Sequence, residues 1–169
     1  MKQAPISLLE YFATDIAFSA NPQFAADKPV EIHEGEFGVE VRVQHAPKAP
    51  DDHRWQVTLE LTHQAAPETN FPYGFRVVLV GFFKAESWVK PDDEERTVRI
   101  HGASVLFGMS REIVRALTGR GPHRPVILPT VSFYEDKVSA TTVTPEVVAS
   151  SQRTANKPRA RKTKSRERA

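Results

Sequence analysis

The sequence predicts an α+β fold, in which the strands of an antiparallel sheet come first and a helix follows. Two segments, Phe37 to Val43 and Trp55 to Thr62, alternate strictly between apolar and polar residues. This period of two is typical of half-buried strands. Between Leu106 and Leu117 the apolar residues recur instead at helical spacing.

Two further segments complete a predicted set of four strands. Ile6 to Ser19 is rich in β-forming residues, and Tyr73 to Phe83 is apolar on both faces. A strand of the second kind needs cover on each side, and one side could be covered by another subunit. Pro47 and Pro50, with the aspartates that follow, indicate a turn, so the second and third strands should form a hairpin.

The helix is predicted to begin near Ser104, which can cap it, and to end at Gly119 and Gly121 before Pro122. Asp92 to Glu95 is interpreted as a solvated loop. The segments after the helix, Val126 to Leu128 and Leu128 to Phe133, look extended. The predicted apolar stripe consists of Leu106, Met109, Ile113, Ala116 and Leu117.

The 169 residues suit a single domain, predicted over residues 1–150, with a basic disordered tail over residues 151–169. Residues 152–169 hold eight Lys or Arg and one acid, whereas residues 1–151 hold 15 basic and 20 acidic side chains. The net charge of +2 is therefore the sum of a tail of +7 and a body of −5. A nucleic-acid or ribosome partner is conceivable only through the tail.

The sequence contains no cysteine, which excludes disulfides and thiol nucleophiles. No apolar signal segment follows Met1 and Lys2, and the longest apolar run, Val77 to Phe83, is far shorter than a membrane helix. We therefore expect a cytoplasmic protein without membrane insertion.

No residue pattern predicts catalysis, a metal or a cofactor. The six histidines lack paired metal-ligand spacing. Asp51-Asp52-His53 is better explained by turn formation than by acid–base chemistry, and consecutive carboxylates such as Asp92 to Glu95 do not converge on a metal. We expect a protein that is not an enzyme.

Aromatic residues are concentrated in one stretch, which contains Phe71, Tyr73, Phe75, Phe82 and Phe83. This is more apolar surface than one sheet layer with one helix can cover. A surplus of this kind indicates oligomerisation, a peptide-binding groove, or both.

Several motifs resemble the SecB family of export chaperones, over roughly residues 8 to 133. They are Leu106-Phe107-Gly108-Met109-Ser110-Arg111-Glu112, Leu117-Thr118, Gly121, Leu128-Pro129-Thr130-Val131-Ser132-Phe133, Thr14-Asp15-Ile16-Ala17-Phe18 and Asn21-Pro22. The resemblance implies a four-stranded antiparallel sheet packed on one long helix and a homotetramer built as a dimer of dimers. It also implies apolar grooves that hold unfolded preproteins without ATP. The expected client-binding residues are Phe24, Phe71, Tyr73, Phe75 and Phe107.

The sequence also departs from the family pattern. Family members carry acidic residues on the sheet face, where the SecA motor docks. Asp15 matches one of these acidic positions, but Ser19 and Arg76 occupy positions where further acidic residues are expected. The family's second helix would fall on Tyr134 to Pro145, which is rich in β-branched residues. These differences resemble SecB-like chaperones that protect an antitoxin. Both export with SecA and protection of an antitoxin therefore stay open.

Overall fold

The computed structural model describes residues 3–30, 37–48, 52–65 and 69–134. The elements in chain order are β1 (Ile6–Ala20), β2 (Phe37–His45), β3 (Arg54–His63), β4 (Tyr73–Ala85) and α1 (Pro91–Thr118). The strands form one antiparallel sheet in the order β1-β4-β3-β2. The predicted α+β fold is thereby confirmed. The predicted tail over residues 151–169 and the stretch from Glu135 to Pro145 lie outside the described residues.

The hairpin of β2 and β3 explains why both strands alternate so regularly. Val41 lies opposite Leu59 and Val43 opposite Val57, so the apolar residues of both strands share one face of the sheet. Val57, Leu59 and Leu61 are almost completely buried there, whereas Glu60 and its alternating neighbours lie on the other face. This alternation therefore defines a helix-covered face and an outer face of the sheet.

β1 pairs with β4 and forms one edge of the sheet. Its pairing register shifts twice, between Leu8 and Glu10 and between Ala13 and Asp15. An extra residue in one strand changes the face on which the following side chains lie. As a result β1 presents apolar residues on both faces: Ile16 lies opposite Val77, and Phe12 lies opposite Val80.

The helix packs closely on the sheet because glycine lies at two contact points. A Cβ atom on Gly81 of β4 would lie only 3.0 Å from Cδ2 of Leu106, and one on Gly102 of α1 only 2.9 Å from Cγ2 of Val57. Burying a side chain such as Leu106 in this layer contributes about 1.5–3 kcal/mol.

The helix begins at Pro91, well before Ser104, so the prediction of a cap at Ser104 is wrong. Ser104 lies inside the helix and donates a hydrogen bond to the carbonyl of Ile100. The prediction of a loop over Asp92 to Glu95 is also wrong. These carboxylates lie in or next to the first turn, where negative charge complements the helix dipole. Pro91 is the first residue of the helix, and the fixed φ of proline already suits the helical conformation.

Glu94 has a structural role in that first turn. Its side chain is buried, with Oε1 lying 2.7 Å from Nδ1 of His53, and Oε2 accepts a hydrogen bond from Nε1 of Trp55 at 3.2 Å. The start of α1 is thereby joined to the start of β3. His53 therefore lies in a polar contact between the start of β3 and α1, and Asp51 lies outside the described residues.

The helix ends at Thr118, as Gly119 predicts, but its buried face is rotated from the predicted stripe. Ala116 is exposed, whereas the polar residues Ser110 and Thr118 are buried. Their hydroxyls donate to the carbonyls of Leu106 and Val114, which makes a polar residue tolerable on the core face.

The chain after α1 crosses the core without forming a regular strand. Val126, Leu128 and Phe133 are buried, and the Leu128 carbonyl accepts a hydrogen bond from Nε of Arg111 at 2.6 Å. The stretch is therefore held by side-chain burial and single hydrogen bonds rather than by pairing with the sheet.

Candidate functional site

The edge strand β1 carries the apolar surface that the fold leaves uncovered. Five large apolar residues of β1 each have more than a third of their surface exposed; these residues are Leu8, Leu9, Tyr11, Phe12 and Ile16. Within the described residues β1 pairs only with β4, so its other edge carries no strand. A long apolar edge is a template for pairing with another chain.

A cavity of about 430 Å³ opens where β1 ends and β4 begins. β1 contributes Phe18 and Ser19, β4 contributes Phe75 and Arg76, and β3 contributes His63. Asn21 and Pro22, which follow β1, complete the wall on one side. The cavity thus continues the apolar edge of β1 and carries aromatic walls with a few polar groups, a composition that suits a peptide side chain.

The structure places the predicted client-binding residues at different depths. Phe71, Tyr73, Phe75 and Phe107 are all buried in the core cluster. Of these four, only Phe75 lines the cavity. Phe107 lies elsewhere, with its ring 5.9 Å from that of Phe133. Direct contact with a client requires accessible surface, so this packing disfavours direct contact for Phe71, Tyr73 and Phe107.

Phe24 is the predicted residue that retains accessible surface. Its ring packs against that of His123 at an angle of 58°, with the ring centroids 4.7 Å apart, and the His123 ring in turn lies 5.5 Å from that of Tyr73. The ring of Tyr73 also lies 5.0 Å from Phe18, which lines the cavity. A continuous chain of rings therefore connects the half-exposed Phe24 to the cavity wall.

Asn21 fixes the backbone on which this arrangement depends. Its side-chain amide donates to the carbonyl of Phe71 at 2.9 Å, and its backbone N–H donates to that of Pro72. Its side-chain oxygen accepts from the N–H of Gln23, which turns the chain immediately after β1. The carbonyl of Asn21 lies 3.2 Å from Nε2 of His123.

Asp15, the predicted partner-docking residue, lies on the outer face of the sheet in an ion-pair cluster. Arg76 contacts the Asp15 carboxylate through Nη1 and donates through Nε to Glu60 at 2.7 Å. The hydrogen bond to Glu60 raises the pKa of the Arg76 guanidinium above its ordinary value. Arg76 thus offsets the two carboxylates, and this part of the face is not a free acidic patch.

Sequence reasoning missed one contributor to the site, His123. It is one of the six histidines without paired metal-ligand spacing, and a ring contact between residues distant in sequence leaves no signal in a single sequence. Asn21 was noted only as part of the Asn21-Pro22 motif, yet an asparagine directly after a strand is a recognisable turn signal.

A second cavity, of about 540 Å³, lies at the start of α1 beside the exposed rings of Trp88 and Tyr134. None of the predicted client-binding residues lines it. Among residues 3–30, 37–48, 52–65 and 69–134 no three His, Asp or Glu side chains cluster as metal ligands do. In the same ranges no helix has the length and apolar character needed to span a membrane.

Comparison with family models decides the identity of the fold. The model of preprotein translocase subunit SecB matches residues 1–139. The chain belongs to the SecB family, and is a SecB-family chaperone. No curated protein sequence matches it significantly.

Two solved structures are similar to the chain. The Mycobacterium tuberculosis SecB-like chaperone, in complex with a ChAD peptide from the HigA1 antitoxin, has 17% identity and a TM-score of 0.49. That match covers 76% of this chain and 89% of the other. A Streptococcus agalactiae protein of unknown function has 13% identity and a TM-score of 0.46, with 75% of this chain and 94% of the other covered.

Proposed function

We propose that this SecB-family chaperone binds unfolded preproteins and holds them, without ATP, for export from the cytoplasm. The observation that carries the proposal is the aromatic-walled cavity where β1 ends and β4 begins. An unfolded chain exposes apolar side chains and unpaired backbone amides together, whereas a folded protein buries both. Such a site selects unfolded chains rather than a particular sequence.

Within this site Phe24 is the proposed direct client contact, and Phe75 is proposed to shape the cavity. Phe24 is half-buried on His123, and Phe75 forms part of the cavity wall. Phe71 and Tyr73 support the site from the core. The hydrogen bonds from Asn21 to the backbone of Phe71 and Pro72 hold the β1–β2 connection beside the cavity.

The apolar edge of β1 is the proposed assembly surface, and its occupant is a second copy of the chain. Two copies of an edge strand that pair antiparallel satisfy each other's backbone groups through a two-fold axis. Leu9, Tyr11 and Ile16 would be buried by such pairing or by packing of the resulting dimers. A homotetramer, built as a dimer of dimers, would require a second contact surface on each chain in addition to this edge.

Suppression of aggregation tests the holding function. The purified protein should keep a chemically denatured enzyme from aggregating on dilution, without nucleotide. Phe24→Ser should weaken this suppression, and Ile127→Ser, at an exposed apolar residue outside the site, should leave it unchanged. Equal suppression by the wild type and Phe24→Ser would remove Phe24 from the client site. Failure of the wild type to suppress aggregation would overturn the proposed function.

The Arg76 cluster favours a second candidate, protection of an antitoxin. Docking of SecA through acids on the sheet face is hindered where Arg76 pairs with Asp15 and Glu60. Titration of purified SecA against the wild type and Arg76→Glu separates the candidates. Tight binding by the wild type supports export. Binding that appears only in Arg76→Glu supports a client other than a SecA-directed preprotein.

A further inference from the structure

The side chain of Asn70 holds the first part of the β1–β2 connection, residues 21–30, which we call the strap. Its Oδ1 accepts a hydrogen bond from the N–H of Ala25 at 2.8 Å. Its Nδ2 lies within hydrogen-bond distance of three strap carbonyls, those of Ala25 at 3.0 Å, Lys28 at 3.3 Å and Pro29 at 3.1 Å. One carboxamide therefore contacts four backbone groups of a segment that has no strand partner of its own, and its two N–H donors are shared among the three carbonyls.

The backbone of Asn70 is adapted to this role. Its φ of 45° lies in the left-handed region, and it is the only non-glycine residue with a positive φ among the described residues. Asparagine tolerates this conformation better than most residues, and glycine adopts it without steric cost. Glycine at position 70 would therefore keep the turn and remove only the carboxamide.

The strap has few other anchors beyond Ala25. Ala26, Asp27, Lys28 and Pro29 are exposed, so little apolar burial holds this part in place. The neighbouring anchors are Asn21 at one end, Val30 at the other, which is partly buried against the core, and the contact between the rings of Phe24 and His123. Segments with little burial open at low cost in free energy unless specific hydrogen bonds oppose the opening.

We propose that Asn70 is a positioning residue for client binding. Its carboxamide fixes Ala25, and thereby presents the adjacent Phe24, two residues after the cavity-lining Pro22, to an aromatic or aliphatic side chain of an unfolded client. This inference rests on the proposed function. It predicts that Asn70 acts on affinity through Phe24 and not by direct contact with the client.

A double-mutant cycle tests this coupling in the full-length protein. The probe is reduced and carboxymethylated α-lactalbumin, which is permanently unfolded, and the readout is its dissociation constant. Asn70→Gly and Phe24→Ala should each weaken binding by about fivefold, the worth of one aromatic contact. The double variant should bind like Phe24→Ala alone, because two changes that act on one contact are not additive.

Amide hydrogen exchange gives the structural readout. In Asn70→Gly the Ala25 N–H should exchange faster, whereas the Asn21 N–H, bonded to the Pro72 carbonyl, should keep its protection. Asn70→Asp is the second variant. It retains the acceptor for the Ala25 N–H but loses the donor to the three carbonyls, so it should also weaken binding of the probe. In the Phe24→Ala background Asn70→Asp should cause no further loss of affinity.

The possible failures are distinguishable. If Phe24→Ala binds the probe like the wild type, the proposed client contact is wrong. If Phe24→Ala weakens binding but neither Asn70 variant does, the positioning role is wrong and the client site stands. Additive losses in the double variant would show that Asn70 supports the fold in general, which also contradicts the proposal.

Discussion

β1 and β4 lie side by side in the sheet, are similar in length and are both rich in apolar residues, yet their environments are opposite. β4 is buried along nearly its whole length, with Val77, Leu79 and Phe83 fully buried. β1 is exposed along most of its length, and only Ile6 is fully in the core. Position in the sheet explains the difference: β4 is flanked by β1 and β3 and lies under α1, whereas β1 is at the edge.

The surface expected to contact another subunit lies on β1 and not on β4. The apolar faces of Tyr73 to Phe83 suggested that this strand needs cover from a second chain. In the structure the single chain buries that strand, and the uncovered apolar surface lies on its neighbour β1. Apolar content alone therefore indicates that an interface exists, but the order of the strands determines which of them carries it.

The largest expected effect comes from truncating a leucine of β4 and comparing it with one of β1. Leu79→Ala removes a fully buried side chain between α1 and the sheet and should cost about 2–5 kcal/mol of unfolding free energy. Leu9→Ala, the matched change at a half-exposed position, should cost about 1 kcal/mol or less. Urea unfolding at one protein concentration measures both.

The same pair of variants can also contradict the comparison. A cost for Leu9→Ala close to that for Leu79→Ala would mean that β1 is covered in solution as completely as β4. If that cost rises with protein concentration, the cover is a second chain, since association adds to the stability of the folded state by mass action.

A charge on β1 should separate assembly from folding. Ile16→Arg places a cation on the apolar edge and should reduce the mass in solution to the 19.0 kDa of one chain. The circular dichroism spectrum should stay that of the wild type, because Ile16 is half-exposed in the single chain. Light scattering coupled to size exclusion provides the measurement.

Ile127→Arg is the control, since Ile127 is as exposed as Ile16 but lies after α1, away from the sheet edge. It should leave the mass unchanged. A wild-type protein that is already a single chain at micromolar concentration would contradict the proposed assembly. Equal loss of mass in both variants would place the interface elsewhere.

The strands were predictable from the sequence because each has a local pattern that the tertiary structure preserves. All four strands were located to within two residues at each end. The start of α1 was not, because its first turns contain consecutive charged residues that resemble a loop. Only Glu94 from that stretch enters the core, and it does so through His53 and Trp55, which are distant in sequence.

The site was less predictable than the fold. Aromatic residues could be found in the sequence, but their depth depends on which strand is central and which is at the edge. Phe71 and Tyr73 are therefore buried, whereas Phe24 retains surface. The contacts that organise the site, from Asn70 to the strap and from His123 to Phe24, join residues more than forty positions apart. No periodicity encodes such contacts.

The smallest expected effect concerns the basic tail, and it tests whether the folded body alone accounts for client holding. Residues 152–169 carry a charge of +7 and lie outside the described residues. Attraction between exposed charges is screened within about 8 Å at physiological salt, so contact of the tail with the −5 body should be weak. Deletion of residues 152–169 should therefore leave both the melting temperature and the suppression of aggregation nearly unchanged. A fall of many degrees in melting temperature would show that the tail is structural, and lost suppression with unchanged stability would make it part of client binding.

A full-length variant with the eight tail cations replaced by glutamine separates the effect of the tail's charge from that of its length. If the tail binds RNA, retention on an RNA column should fall steeply with salt for the wild type and be absent from both variants. Equal retention of all three proteins would exclude the tail as an RNA-binding element.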